Sequence, residues 1–254
     1  MVVSKKHLWT FVIFTIILSF LLQGIILVAN QYDMLLFKSP VGMLFYVMST
    51  LAPTFVAATV LVRGKYITST KHLFQVMFQV KDSWKHYSLA ILFVFLQYIL
   101  LVIFTPMREG GNIFIAVAMI VPCIFDGGLE EVGWRYILGA SLESKMNYIV
   151  ATLITAIVWY SWHMLHFFID GTGQRGVSPV TYGVFVLGAA FALSAIYRTT
   201  KNIWICTICH ATINALSFCY NIATYFALTV ATTVILITVS IVLVTRCEQK
   251  NIVE

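Results

Sequence analysis

The chain has 254 residues, of which 60% are hydrophobic and 10% charged. Soluble domains carry about 25% charged residues, so the composition excludes a large water-soluble domain and places the chain among polytopic membrane proteins. The net charge of +6 does not point to nucleic acid, because the basic residues lie in connections between apolar runs, where they set orientation.

The first apolar run, 8–29, is too long for a signal-peptide core and no small-residue cleavage site follows it, so it reads as a retained span. Further runs at 41–62, 88–105, 113–142, 148–169, 182–197, 203–220 and 222–245 predict an all-α transmembrane bundle of about eight spans. Residues 1–254 then form one integral membrane domain. The runs are continuous and not alternating, which excludes a closed barrel. Between the second and third runs, within 63–87, Leu73, Met77, Val80, Trp84 and Tyr87 recur at helical spacing among Lys71, Lys81 and Lys85. That is the pattern of an amphipathic helix lying on the inner leaflet. The fourth run is expected to stay helical through a charged cluster, and a tight turn is expected at Asn221 between the seventh and eighth. Eight spans put both termini on one side, with twelve Lys and Arg residues from Lys5 to Lys250. Only Lys38, Arg108 and Arg175 fall on the other side. Twelve against three predicts that both termini are cytoplasmic. Five cysteines, Cys123, Cys206, Cys209, Cys219 and Cys247, lie in or beside apolar runs and read as small buried hydrophobes, with no disulfide framework.

Residues 126–135 read Asp-Gly-Gly-Leu-Glu-Glu-Val-Gly-Trp-Arg. Each charge placed in a bilayer costs about 2.5–3.5 kcal/mol, so Asp126, Glu130, Glu131 and Arg135 need pairing, water or a function. On a continuous helix Glu131 and Arg135 are four apart, acid first, which is the favourable order for an ion pair. Glu130, about 100° around the helix, is left free, and Asp126 shares its face. The other ionisable side chains within spans are His163 and His166 in the fifth and His210 in the seventh. Counted from the short turn at 144–147, Glu130 and His163 differ in depth by roughly 3 Å. His210 and Asn214 share one face of the seventh span. Three helices carrying all the intramembrane polarity must face each other to hide it.

An acid and a histidine at one depth can hold and deprotonate a water, and two further donors can stabilise the oxyanion of a tetrahedral intermediate. Neither G-x-S-x-G nor H-E-x-x-H competes. Trp134, Trp159 and Trp162 read as packing aromatics.

Glu130-Glu131-x-x-x-Arg135, Trp159-x-x-x-His163 and His210-x-x-x-Asn214, in that order on successive helices, resemble the CAAX-protease and bacteriocin-processing family of intramembrane glutamic endopeptidases, to which the Ras-converting enzyme belongs. Gly133, Trp134 and Trp162 also fit the family pattern, and the resemblance covers about 113–220. Tyr136 stands where many members have glycine, Leu165 replaces a frequent proline, and His166 and Asp126 are additions. The resemblance implies that Glu130 and His163 activate water and that His210 and Asn214 form the oxyanion site. It implies that Glu131 and Arg135 support the architecture or bind a substrate carboxylate. Asp126, His166 and Trp159 are candidates for a supporting layer behind these groups.

The reading that follows is a metal-independent, cofactor-free intramembrane endopeptidase in a prokaryotic cell membrane. Its partners would be membrane lipids and a peptide or lipid-modified protein substrate, not nucleic acid. One alternative is a zinc-dependent membrane protease with Glu130, His163 and His210 as ligands. Another is a non-catalytic scaffold or bacteriocin self-immunity protein. A transporter is disfavoured, because the chain shows neither inverted repeats nor paired broken helices.

Overall fold

The computed structural model describes residues 1–32, 39–221 and 223–253, and among them every regular element is a helix. In chain order these are α1 (Lys5–Gln31), α2 (Pro40–Thr50), α3 (Ala52–Arg63), α4 (Thr70–Met77), α5 (Trp84–Phe104), α6 (Ile113–Phe125), α7 (Ala140–Glu143), α8 (Tyr148–Trp162), α9 (Pro179–Thr200), α10 (Ile203–Leu216) and α11 (Phe226–Val253). The starts are written in the sequence. Ser4, Ser39, Ser69, Ser83, Asn112, Asn147, Ser178 and Asn202 each accept a hydrogen bond from a first-turn backbone N–H. Each cap satisfies a donor that the helix itself leaves orphaned.

Six stretches are long and apolar enough to cross a bilayer: Lys5–Gln31, Trp84–Phe104, Ile113–Glu143, Tyr148–Phe168, Pro179–Thr200 and Phe226–Gln249. The pair α2 and α3, bent by 47°, adds a seventh if taken as one span. The remaining expected span is α10, whose 14 residues reach only about 21 Å at 1.5 Å per residue. That falls short of the ~30 Å hydrocarbon core. The chain is an all-helical, multi-pass integral membrane protein with six to seven such spans among the described residues.

Contacts between elements define two ends. At one end Val3 N–H donates to Ser141 Oγ (3.1 Å), Arg198 bridges Glu143 and Glu248, and Asn202 Nδ2 donates to Asp82 Oδ2 (2.6 Å). This end gathers the start of α1, α7, the last turn of α9, the start of α10, the last turns of α11 and the α4–α5 link. At the other end Arg108 N–H donates to the Cys219 carbonyl (2.9 Å) and Tyr160 Oη to the Pro179 carbonyl (2.9 Å). There the α5–α6, α8–α9 and α10–α11 connections meet. Between the ends, α9 is the most enclosed helix, packed against α5, α8, α10 and α11. Its small residues Gly188, Ala189, Ala190, Ala192 and Ala195 let neighbouring helices approach closely.

Three expectations need correction. The amphipathic segment is helical only over Thr70–Met77, where Leu73 and Met77 are buried; Val80 lies outside a helix, and Trp84 and Tyr87 belong to α5. The link from α10 to α11 is not a tight turn at Asn221, because α10 ends at Leu216 and α11 starts at Phe226. The fourth span is not one continuous α-helix. After α6 the chain breaks at Asp126–Gly127, turns through a 3-10 segment at Gly128–Glu130, and winds as a π-helix over Val132–Gly139 before α7.

Candidate active site

The break begins where sequence chemistry permits it. Gly127 has φ +119°, and a Cβ there would lie 2.4 Å from Asn214 Nδ2 and 3.2 Å from His210 Nε2. Only glycine accepts both the dihedral and the approach. Breaking a helix inside a membrane frees backbone groups that need partners, and Thr54 Oγ1, from α3, donates to the Leu129 carbonyl (2.8 Å). Past the break, Gly133 lets α1 and α3 close in, since a Cβ would meet Phe11 Cζ at 2.6 Å and the Pro53 carbonyl at 3.2 Å. The Gly127–Gly128 pair is the signal that would have revealed the break from sequence.

The structure gives both glutamates partners beyond the expected Glu131–Arg135 pair. Glu130 is 3% exposed, and its Oε2 accepts from the indole N–H of Trp134 (2.9 Å) and of Trp159 on α8 (3.1 Å). Its Oε1 has no recorded hydrogen bond among the described residues, and Glu130 lines a cavity of about 210 Å³. Trp134 and Trp159 are therefore hydrogen-bond donors to the free acid and not packing residues alone. Glu131 is fully buried. Its Oε2 accepts from Arg135 Nε (2.8 Å), as the four-residue spacing predicts, and its Oε1 lies 2.8 Å from His210 Nδ1 on α10. The expected closed pair is thus a three-member chain, Arg135–Glu131–His210, and it is Glu131, not Glu130, that bonds to α10.

His163 ends α8, and its Nδ1 lies 2.8 Å from the Trp159 carbonyl. A carbonyl only accepts, so Nδ1 carries the proton and the neutral ring's Nε2 is an acceptor. His163 lines the same cavity as Glu130, in line with their matched depths. Trp159 sits between the two histidines, with ring centres 5.7 Å from His163 and 5.2 Å from His210. Asn214 Nδ2 donates to the Asp126 carbonyl (3.1 Å), and His210 and Asn214 both line the cavity. Asp126 lines it too, but as the residue after α6; the break removes the helical face it was expected to share with Glu130.

His166 follows on a 3-10 turn, Met164–Phe168, with its ring centre 5.6 Å from that of His163. It borders the cavity, where Gln23 of α1 lies 3.4 Å from its Nε2. Arg135 is 1% exposed and does not line the cavity. Its guanidinium carbon lies 5.0 Å from the Trp159 ring centre, a cation–π contact behind the site. Tyr136 also faces away, packed edge-on against Tyr197. Among the described residues no three His, Cys, Asp or Glu side chains converge as a metal site, so the zinc arrangement of Glu130, His163 and His210 is not preassembled here.

None of the curated proteins compared with the chain matches it. A family model described as Rce1-like, type II CAAX prenyl endopeptidase Rce1-like, matches residues 112–216. That stretch begins at the cap of α6 and ends with α10, so it contains Glu130, Glu131, Arg135, Trp159, His163, His210 and Asn214. Over those residues the chain is similar to the Rce1-like family of CAAX-type membrane proteases.

Proposed function

We propose that this membrane protease is of the glutamic type and cleaves a peptide bond in a lipid-modified or membrane-associated precursor, with water activated by Glu130 and His163. One observation carries the reading. Two indole N–H groups fix Oε2 of Glu130 and leave Oε1 free, on a cavity that His163 also lines. A water held between Glu130 Oε1 and His163 Nε2 loses its proton to Glu130 as it attacks the scissile carbonyl. The proton is then delivered to the leaving amine.

The oxyanion would form beside Gly127, where Asn214 and His210 converge. Asn214 Nδ2 gives one hydrogen to the Asp126 carbonyl and keeps a second for the oxyanion. His210 has its Nδ1 against Glu131, so Nε2 donates only when the ring is protonated. Glu131 then supplies the balancing charge, and Arg135 holds Glu131 in place. Fixed donors aimed where charge develops are the largest single contribution in acyl-transfer chemistry, about 10²–10³ in rate per donor.

The test is Glu130→Gln, which keeps an acceptor for both indoles but removes the base. General-base loss predicts a drop in cleavage of about 10²–10⁴-fold, read as peptides released by cells carrying wild-type or variant protein, with insertion and helix content unchanged. A fully active Glu130→Gln protein would sink the proposal, and a phenotype surviving loss of all four groups, Glu130, His163, His210 and Asn214, would leave scaffolding as the role.

A further inference from the structure

Among the described residues the cavity opens at one end of the bundle. Its exposed lining residues are Arg108, Gly173, Phe218, Asn221 and Thr224. All five lie in the α5–α6, α8–α9 and α10–α11 connections, at the end away from the N-terminus. The lining residues on the helices, Glu130, His163 and His210 among them, are buried or half-buried. No lining residue belongs to the layer in which Val3 meets Ser141 and Arg198 meets Glu143. The end that holds the N-terminus is closed over the site.

The two ends differ in charge. Among the described side chains, Lys5, Lys6, Arg63, Lys65, Lys71, Lys81, Lys85, Lys145, Arg198, Lys201 and Arg246 lie at the closed end, while Arg108 and Arg175 lie at the open one. The open end also carries Glu109 and Asp170, so it is close to neutral. Eleven cations against two is the asymmetry that keeps a membrane segment's basic side in the cytoplasm. The closed end also carries interfacial anchors, with Phe74 and Trp84 exposed beside Lys71, Lys81 and Lys85.

We infer that the cavity is reached from the extracytoplasmic face, and that the substrate is therefore an exported or membrane-anchored polypeptide whose cleavage site lies at or above the outer leaflet, not a cytoplasmic carboxyl-terminal tail. A cytoplasmic tail meets the closed end, and among the described residues the exposed lining of the cavity is all across the membrane from it. The orientation stands on charge and geometry alone; the substrate class rests on the protease reading proposed above.

Two single-cysteine variants test both parts. Gly173 is exposed at the opening, where a Cβ meets nothing within 4 Å, and Lys145 is exposed at the closed end. In intact cells a membrane-impermeant polyethylene-glycol maleimide should label Gly173→Cys at once and Lys145→Cys only after permeabilisation, with the unmodified chain as background. Labelling in the opposite order overturns the orientation whether or not the protein is a protease. With Gly173→Cys labelled from outside, peptide release by those cells should fall at least tenfold, while treated Lys145→Cys cells continue. Undiminished release from fully labelled Gly173→Cys cells overturns the substrate class but leaves the orientation intact. Failure of the protease reading is seen separately, as an active Glu130→Gln protein.

Discussion

The helix α9 and the segment 126–139 are both buried in the same bundle and solve opposite problems. α9 runs 22 residues without interruption and is lined with alanine, glycine and β-branched or aromatic residues. Its backbone satisfies itself, and its side chains need only fit. Segment 126–139 abandons the regular helix, passing from a break through 3-10 to π winding. Its polar groups are satisfied by other elements: Thr54 on α3, Trp159 on α8, His210 and Asn214 on α10. Helix breaks and π turns in membrane spans are tolerated where they line a cavity or are enclosed by protein. In this bundle regular geometry serves stability, and the irregular segment presents polar atoms.

Substitutions can break that division. The largest effect is expected at Glu131→Gln, which leaves the Arg135 cation and the His210 ring without their buried counter-charge. Removing one partner of a buried pair costs about 3–5 kcal/mol, visible as lost thermal stability in detergent. Adding Arg135→Met should recover most of the stability but not the activity, because His210 still lacks its carboxylate. If activity returns with stability, Glu131 is only a structural partner.

Gly127→Ala comes next. It pushes on Asn214 and His210 at a dihedral that favours glycine, and cleavage should fall about 10²-fold or more if the oxyanion donors are displaced. Strain at that dihedral should also cost about 1–3 kcal/mol, so cleavage is read on the folded fraction, and a folded fraction that cleaves at the normal rate would merge the two regions into one. Ala192→Leu on α9 should do the reverse. Ala192 is fully buried, and overpacking costs about 1–3 kcal/mol, with remaining folded protein cleaving at the normal rate. A large change in kcat of the folded fraction would show that α9 sets the site directly.

The smallest effect lies outside the spans. Desolvation opposes ionisation of Asp82, but the Asn202 amide, the Ser83 N–H and His86 outweigh it and hold the carboxyl below the usual carboxylate range. A depressed folded-state value means that the stabilisation is present above the unfolded value and is lost as pH falls through the folded one. Asp82→Ala should cost about 1 kcal/mol at neutral pH and flatten the acid side of the stability profile. An unchanged profile would show that the α4–α5 link does not depend on this carboxylate.

Much of the layout was legible because bilayer physics acts on sequence directly. Hydrophobic length located the spans, serine and asparagine located their starts, and the scarcity of charge isolated Glu130, His163, His210 and Asn214 as groups needing a reason to be buried. Four-residue spacing also gave the Glu131–Arg135 contact, since that pair is local. The second bond of Glu131 was not legible, because His210 is 79 residues away and pairwise spacing says nothing across helices. Nor was the double indole clamp on Glu130, for the same reason in the case of Trp159.

The sequence by itself determined that this is a helical membrane protein whose polarity collects on three helices, because the energetic penalty for charge in lipid applies to every residue separately. Only the tertiary structure decided which helices the two acids meet: α8 through Trp159 for Glu130, and α10 through His210 for Glu131. That choice depends on how α8 and α10 pack against the segment that follows the glycine-permitted break, across sequence separations of 29 and 79 residues. It also decided which end of the bundle the cavity opens to, since an opening is a property of loops meeting in space and of no single segment.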